Sequence, residues 1–139
     1  MYLKQADLFW GMSQSIIQSI TAKAVRQEFQ PGEVIFRAED PADCFYVLIK
    51  GRVRMDLKRT GTSVYSSDQV GEIFGWSALI RQDRYAAAVI SETPTTALRF
   101  NCEAVCHLLE QDADSAAIFY KQLARALGSR LLSAYDLIG

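Results

Sequence analysis

The chain has 139 residues, 50% of them hydrophobic, with 15 basic against 16 acidic side chains and a net charge of −1. That length suits one domain over 1–139 with a real core, and the balanced charge argues against a broad basic face for nucleic acid. No apolar run reaches the ~20 residues of a membrane-spanning helix. The stretch Met1–Asp7 lacks the layout of a secretion signal, and the expected location is cytoplasmic.

In chain order, residues 5–26 read as helical. Ser13 is a capping residue, and Ile16, Ile17, Ile20 and Ala24 make one apolar face. Gln30-Pro31-Gly32 is a turn, and Val34–Phe36 is a short strand. Asp40-Pro41-Ala42-Asp43 makes a second turn before the apolar strand Phe45–Ile49, which Lys50-Gly51 breaks. From Arg52 to Lys58 the residues alternate, with Val53, Met55 and Leu57 on one face and charged side chains on the other. Thr60-Gly61-Thr62 is a hairpin tip from which Val64–Ser66 pairs back. Strands over Ala86–Ser91 and Thr95–Phe100 flank Glu92-Thr93-Pro94. Many short strands with frequent turns predict an α+β chain built on an antiparallel β-roll of the jelly-roll type.

After Asn101 the pattern becomes helical. Asn101 caps a helix over 102–111, and Asp112 or Asp114 caps the last one. On that last helix Tyr120, Ala124, Leu127, Leu131, Ala134 and Ile138 recur at alternating spacings of four and three, a short coiled-coil-like seam. Phe119, Leu123 and Ala126 lie beside it, placed to pack on the roll. The odd set of cysteines (Cys44, Cys102 and Cys106) reads as free thiols. Cys102 and Cys106 sit four apart with His107 adjacent, and without a further ligand in view they read as structural, with no metal site. Catalysis has no support either: there is one histidine, no nucleophile triad and no P-loop.

The most informative stretch is Gly71-Glu72-Ile73-Phe74-Gly75-Trp76-Ser77-Ala78-Leu79, followed by Arg84-Tyr85-Ala86-Ala87-Ala88-Val89. It reads as a Gly-Glu turn opening a short helix, then a basic residue, then small residues leading into a strand. Free N–H groups at a helix start suit an anion, a carboxylate accepts from a sugar hydroxyl, and an arginine fork closes on a phosphate.

These residues resemble the phosphate-binding cassette of the cyclic nucleotide-binding domain family. Two further stretches resemble the same family: Phe29-Gln30-Pro31-Gly32-Glu33-Val34-Ile35-Phe36 with Phe45-Tyr46-Val47-Leu48 and Gly51-Arg52-Val53, and Leu8-Phe9-Trp10-Gly11-Met12-Ser13. The resemblance implies a β-roll flanked by an N-terminal helix and two C-terminal helices. It implies cAMP or cGMP as the ligand, a C-terminal helix that shifts on binding, and a homodimer through that helix. It maps the ribose 2′-hydroxyl contact onto Glu72 and the rest of the site onto Gly71, Ile73, Ser77, Arg84, Tyr85 and Ala86. By its resemblance to the catabolite activator's helix, the base cap maps onto Arg130 and Leu131.

The pattern departs from the family at three places. Tyr85 stands where the family places arginine, with Arg84 one residue early, so that a longer cassette loop has to re-aim Arg84 or bring in Arg81. Trp76 either stacks on a purine or fills the pocket. Glu39 stands where the family has glycine, which implies a different turn there. Transcription factors of the family carry a helix-turn-helix after the last helix; none follows here, and no direct DNA binding is expected of these residues. Two functions follow: a cyclic nucleotide sensor, or an interaction module that kept the fold and lost the nucleotide.

Overall fold

A computed structural model describes residues 8–138. Helix α1 spans Gln14–Ala22; it is capped by Ser13, whose side chain accepts from the Ile16 N–H, and it buries Ile16, Ile17 and Ile20. Eight strands follow: β1 (Val25–Phe29), β2 (Val34–Phe36), β3 (Cys44–Lys50), β4 (Val53–Leu57), β5 (Ser63–Ser67), β6 (Ile73–Phe74), β7 (Ala87–Ser91) and β8 (Thr95–Asn101). A single 3-10 turn, Ser77–Ile80, separates β6 from β7. Helices α2 (Cys102–Glu110) and α3 (Ala113–Ile138) close the chain.

The strands form two four-stranded sheets, ordered β1-β8-β3-β6 and β2-β7-β4-β5, and every pairing is antiparallel. This is the expected β-roll with its flanking helices. Strand β3 explains why it holds together. Its run Phe45–Ile49 is buried on both faces, as an unbroken apolar strand must be. Alternation along the strand sends Phe45 and Val47 toward the helices, where they join Phe9, Ile20, Phe100 and Phe119. Tyr46 and Leu48 point into the roll, with Phe36, Phe74, Tyr85 and Val89. Leu123 is buried in the helical core, and Ala126 and Leu127 pack against it, so that α3 lies on the roll.

Two local expectations are corrected. Residues 5–7 of the expected first helix lie outside the described residues, and its C-terminal end is a strand. The helix stops at Ala22, the Lys23 and Ala24 N–H groups turn back to Ile20 and Thr21, and Val25–Phe29 pairs with β8. This edge strand buries only Phe29, so its sequence shows no alternation to betray it. Second, Glu39 keeps the left-handed turn despite its side chain, with φ at 74°. Three contacts offset that conformation: its N–H donates to Tyr85 O at 2.9 Å, its carbonyl accepts from Arg84 Nη1 at 2.7 Å, and its carboxylate meets Lys58 Nζ at 2.8 Å. Of the two caps expected for the last helix, Asp112 is the one used, accepting from the Ser115 N–H at 3.1 Å.

Candidate functional site: a carboxylate bound to the last helix

Gly71 and Glu72 do not open a helix. Glu72 ends a turn held by Gly71 N–H to Leu48 O and Leu48 N–H to Glu72 O, both 2.8 Å, and the chain then runs into the two-residue strand β6. The 3-10 turn starts only at Ser77, with Trp76 before it and no side-chain cap. Ser77 therefore does not cap it. The helical stretch arrives late because Gly75, at φ 73°, first folds the cassette against the roll: a Cβ there would lie 3.0 Å from Phe36 Cε2 and 3.2 Å from Tyr46 Cδ1.

Glu72 is mostly buried and fully engaged. Its Oε1 accepts from the Tyr65 hydroxyl at 2.8 Å and from Ser67 Oγ at 2.9 Å. Its Oε2 lies 3.1 Å from Arg130 Nη2 on α3. The same Nη2 donates to the Ile73 carbonyl at 2.6 Å. The Arg130 guanidinium carbon sits 4.1 Å from the Tyr65 ring centroid and 4.6 Å from that of Trp76. Arg130 Nη1 is buried with no partner among the described residues. Burial by itself would push the Glu72 carboxyl up. The Arg130 charge, with hydrogen bonds from Tyr65, Arg130 and Ser67, outweighs that and holds it below its ordinary value. The Tyr65 hydroxyl is pushed up, by burial first and then by its bond to Glu72.

Tyr85 is core. It is 4% exposed, stacks on Phe36 with centroids 3.7 Å apart, and donates its hydroxyl to Cys44 O at 2.6 Å. Burial pushes that phenol well above its ordinary value. Arg84 points elsewhere: it is exposed and bound to the Glu39 carbonyl. Arg81 is exposed at the end of the 3-10 turn. Leu131 is 52% exposed on α3.

The structure thus divides the residues that the sequence groups together. Ser77, Tyr85 and Ala86 line a cavity of about 80 Å³ with Phe36, Met55 and Trp76. Glu72 and Arg130 line a second of about 10 Å³ with Tyr65, Ser67, Arg54 and Met55. Both are far below the roughly 300–1,000 Å³ of a small-molecule site. Met55 borders both. Glu72, Tyr65 and Arg130 also line a larger cavity of about 360 Å³, with Trp10, Gln122 and Arg125. The sequence reading missed Tyr65 and Ser67 as partners of Glu72. Their spacing of two along a strand, which places them on one face, was the available signal.

The family profile of the cyclic nucleotide-binding domain matches residues 26–112. The chain belongs to the cyclic nucleotide-binding domain family. Among curated relatives of this family, a cGMP-dependent protein kinase of Eimeria tenella is 25% identical over 150 residues, covering 96% of this chain and 15% of the kinase. The chain therefore spans less than a fifth of that relative. A putative cyclic nucleotide-binding protein from Geobacter metallireducens superposes with a TM-score of 0.81 at 23% identity, covering 93% of this chain and 95% of that one. A cyclic nucleotide-binding domain from Methylobacillus flagellatus gives 0.82 at 18% identity, over 99% of this chain and 78% of that one. At those identities the two structures bear on the fold alone. No helix among the described residues is long and apolar enough to cross a membrane, and no cluster of three or more His, Cys, Asp or Glu among them could hold a metal ion.

Proposed function

We propose that this chain is a regulatory, non-catalytic domain of the cytoplasm that senses a cyclic nucleotide of the cAMP or cGMP type and reports it through α3. The observation that carries this reading is the bond between Glu72 and Arg130. It joins the carboxylate assigned to the ribose hydroxyl with the helix assigned to transmission, at 3.1 Å. A hydroxyl that binds the Glu72 carboxylate competes with Arg130 for it, and so with a tie holding α3 to the roll. A ligand shifts such an equilibrium only by its differential affinity for the two helix positions, and this contact supplies the difference. The cavity of about 360 Å³ lined by Tyr65, Glu72 and Arg130 offers room beside the carboxylate. The kinase relative supports a nucleotide as the signal by its name.

The test is calorimetric titration of the purified chain with cAMP and then cGMP. Micromolar affinity, about −8 kcal/mol, is expected for one of them, with loss of binding in a folded Glu72→Ala variant. No heat from either nucleotide would end the sensor reading.

One observation favours a second reading. Tyr85 is locked into the core and Arg84 is turned to Glu39, so no arginine of the cassette faces the cavities. On that reading the fold serves as an interaction module and homodimerises through α3.

A further inference from the structure

The immediate surroundings of Arg130 have the composition of a cation site. Two aromatic faces, Tyr65 and Trp76, lie 4.1 and 4.6 Å from the guanidinium carbon. A carboxylate and a backbone carbonyl, Glu72 and Ile73, accept from the same nitrogen. Glu72 is itself oriented by Tyr65 and Ser67, so the acceptor geometry does not depend on Arg130 alone. Stacking faces with an in-plane acceptor select a flat, delocalised cation over a compact ammonium. The 3-10 turn contributes no competing anion subsite: it is four residues long and its start, Trp76, carries no cap bond.

We propose that the cassette of this chain is a guanidinium-binding site, filled in this structure by Arg130 of its own last helix. The site is a pre-shaped slot bounded by Tyr65, Trp76, Glu72 and the Ile73 carbonyl, and the arginine is its resident ligand in cis. This goes beyond nucleotide sensing, because the slot recognises a planar cation whether or not a nucleotide binds. It also sets the terms for any ligand of Glu72, which competes with a tethered guanidinium. Among the described residues the buried Nη1 has no partner, and the arginine is held through its Nη2 edge.

The experiment empties the slot and refills it. Trp10→Phe, at an exposed position, leaves Trp76 as the single tryptophan reporter. In that background Arg130→Ala is titrated with methylguanidinium chloride, with methylammonium chloride and sodium chloride as controls at equal ionic strength. The expected result is a saturable change in Trp76 emission and a rise in melting temperature with methylguanidinium in the millimolar range. Methylammonium gives neither, and the parent with Arg130 in place does not respond. Adding Glu72→Gln to the variant abolishes the response. Equal behaviour of the variant and the parent overturns the proposal.

If Arg130→Ala does not fold, the parent carries the test by NMR. A resident arginine gives a slowly exchanging side-chain N–H signal displaced by the ring currents of Tyr65 and Trp76, and a solvent-like signal overturns the proposal. The nucleotide titration stands apart. Methylguanidinium binding by the variant with no nucleotide binding by the parent keeps this site and ends the sensor reading, and the reverse result does the opposite.

Discussion

Arg130 and Glu72 hold each other in a mostly buried setting. Their side chains are 11% and 15% exposed. Removing one member of such a pair leaves the other buried and uncompensated, which typically costs ~3–5 kcal/mol. Arg130→Ala is therefore expected to lower unfolding stability by about 3 kcal/mol in urea, far more than loss of an exposed pair such as Arg26–Glu28. The pH dependence has a definite sign. The Glu72 carboxyl lies below its ordinary 4.5 in the folded chain, so the unfolded state takes up its proton first as pH falls. The stabilisation is complete above the ordinary value and disappears as pH drops through the lower folded one. Glu72→Gln should flatten that acid limb of the stability profile, and an unchanged limb would remove Glu72 as its source. Tyr85 makes a separate claim. Tyr85→Phe keeps the stack on Phe36 and strands the Cys44 carbonyl, and a loss of about 1 kcal/mol in denaturant titration is expected. The position of Tyr85 was legible by aligning back from Ala86–Val89 against the family pattern; whether it meets a ligand or fills the interior was not. Only the distance to Phe36 shows that the ring belongs to the core.

Elements with strong apolar pattern were legible in advance, and elements without it were not. β3 and the face of α1 carry their burial in their sequence; β4 does not, since of its expected apolar face only Val53 is buried and Leu57 is exposed. β1 does not, because it is an edge strand carried by its pairing with β8. The cassette was misread for a different reason. Gly-Glu followed by apolar residues suits a helix start by local chemistry. Here Ile73 and Phe74 are drawn into pairing with Val47 and Tyr46 of β3, which overrides that preference. The turn between β3 and β4 is the tightest test at this scale. Gly51 has φ at 102°, and a Cβ would stand 2.5 Å from the Pro94 carbonyl oxygen. Gly51→Ala should cost about 2 kcal/mol or more, measured by thermal or urea unfolding. A neutral result would mean that the β7–β8 turn yields freely.

Among the described residues, α3 carries four exposed large apolar side chains, Tyr120, Leu131, Leu132 and Tyr135. Leu127 of the expected seam packs instead against the helical core of its own chain. The side chain of Ile138 lies outside the described residues. A dimer through α3 would then use Tyr120, Leu131 and Tyr135 rather than Leu127. Leu131→Asp with Tyr135→Asp is expected to halve the mass seen in sedimentation, and an unchanged mass would rule the interface out.

β3 gives the molecule one more property. It is a wall shared by two cores, with Phe45 and Val47 in the helical one and Tyr46 and Leu48 in the roll. Loosening either side strips cover from the same backbone, so neither half has a stable state without the other. Melting should therefore be a single cooperative event. In the Trp10→Phe background, Trp76 emission, which watches the cassette, and far-ultraviolet circular dichroism, which is dominated by α3, should trace superimposable curves.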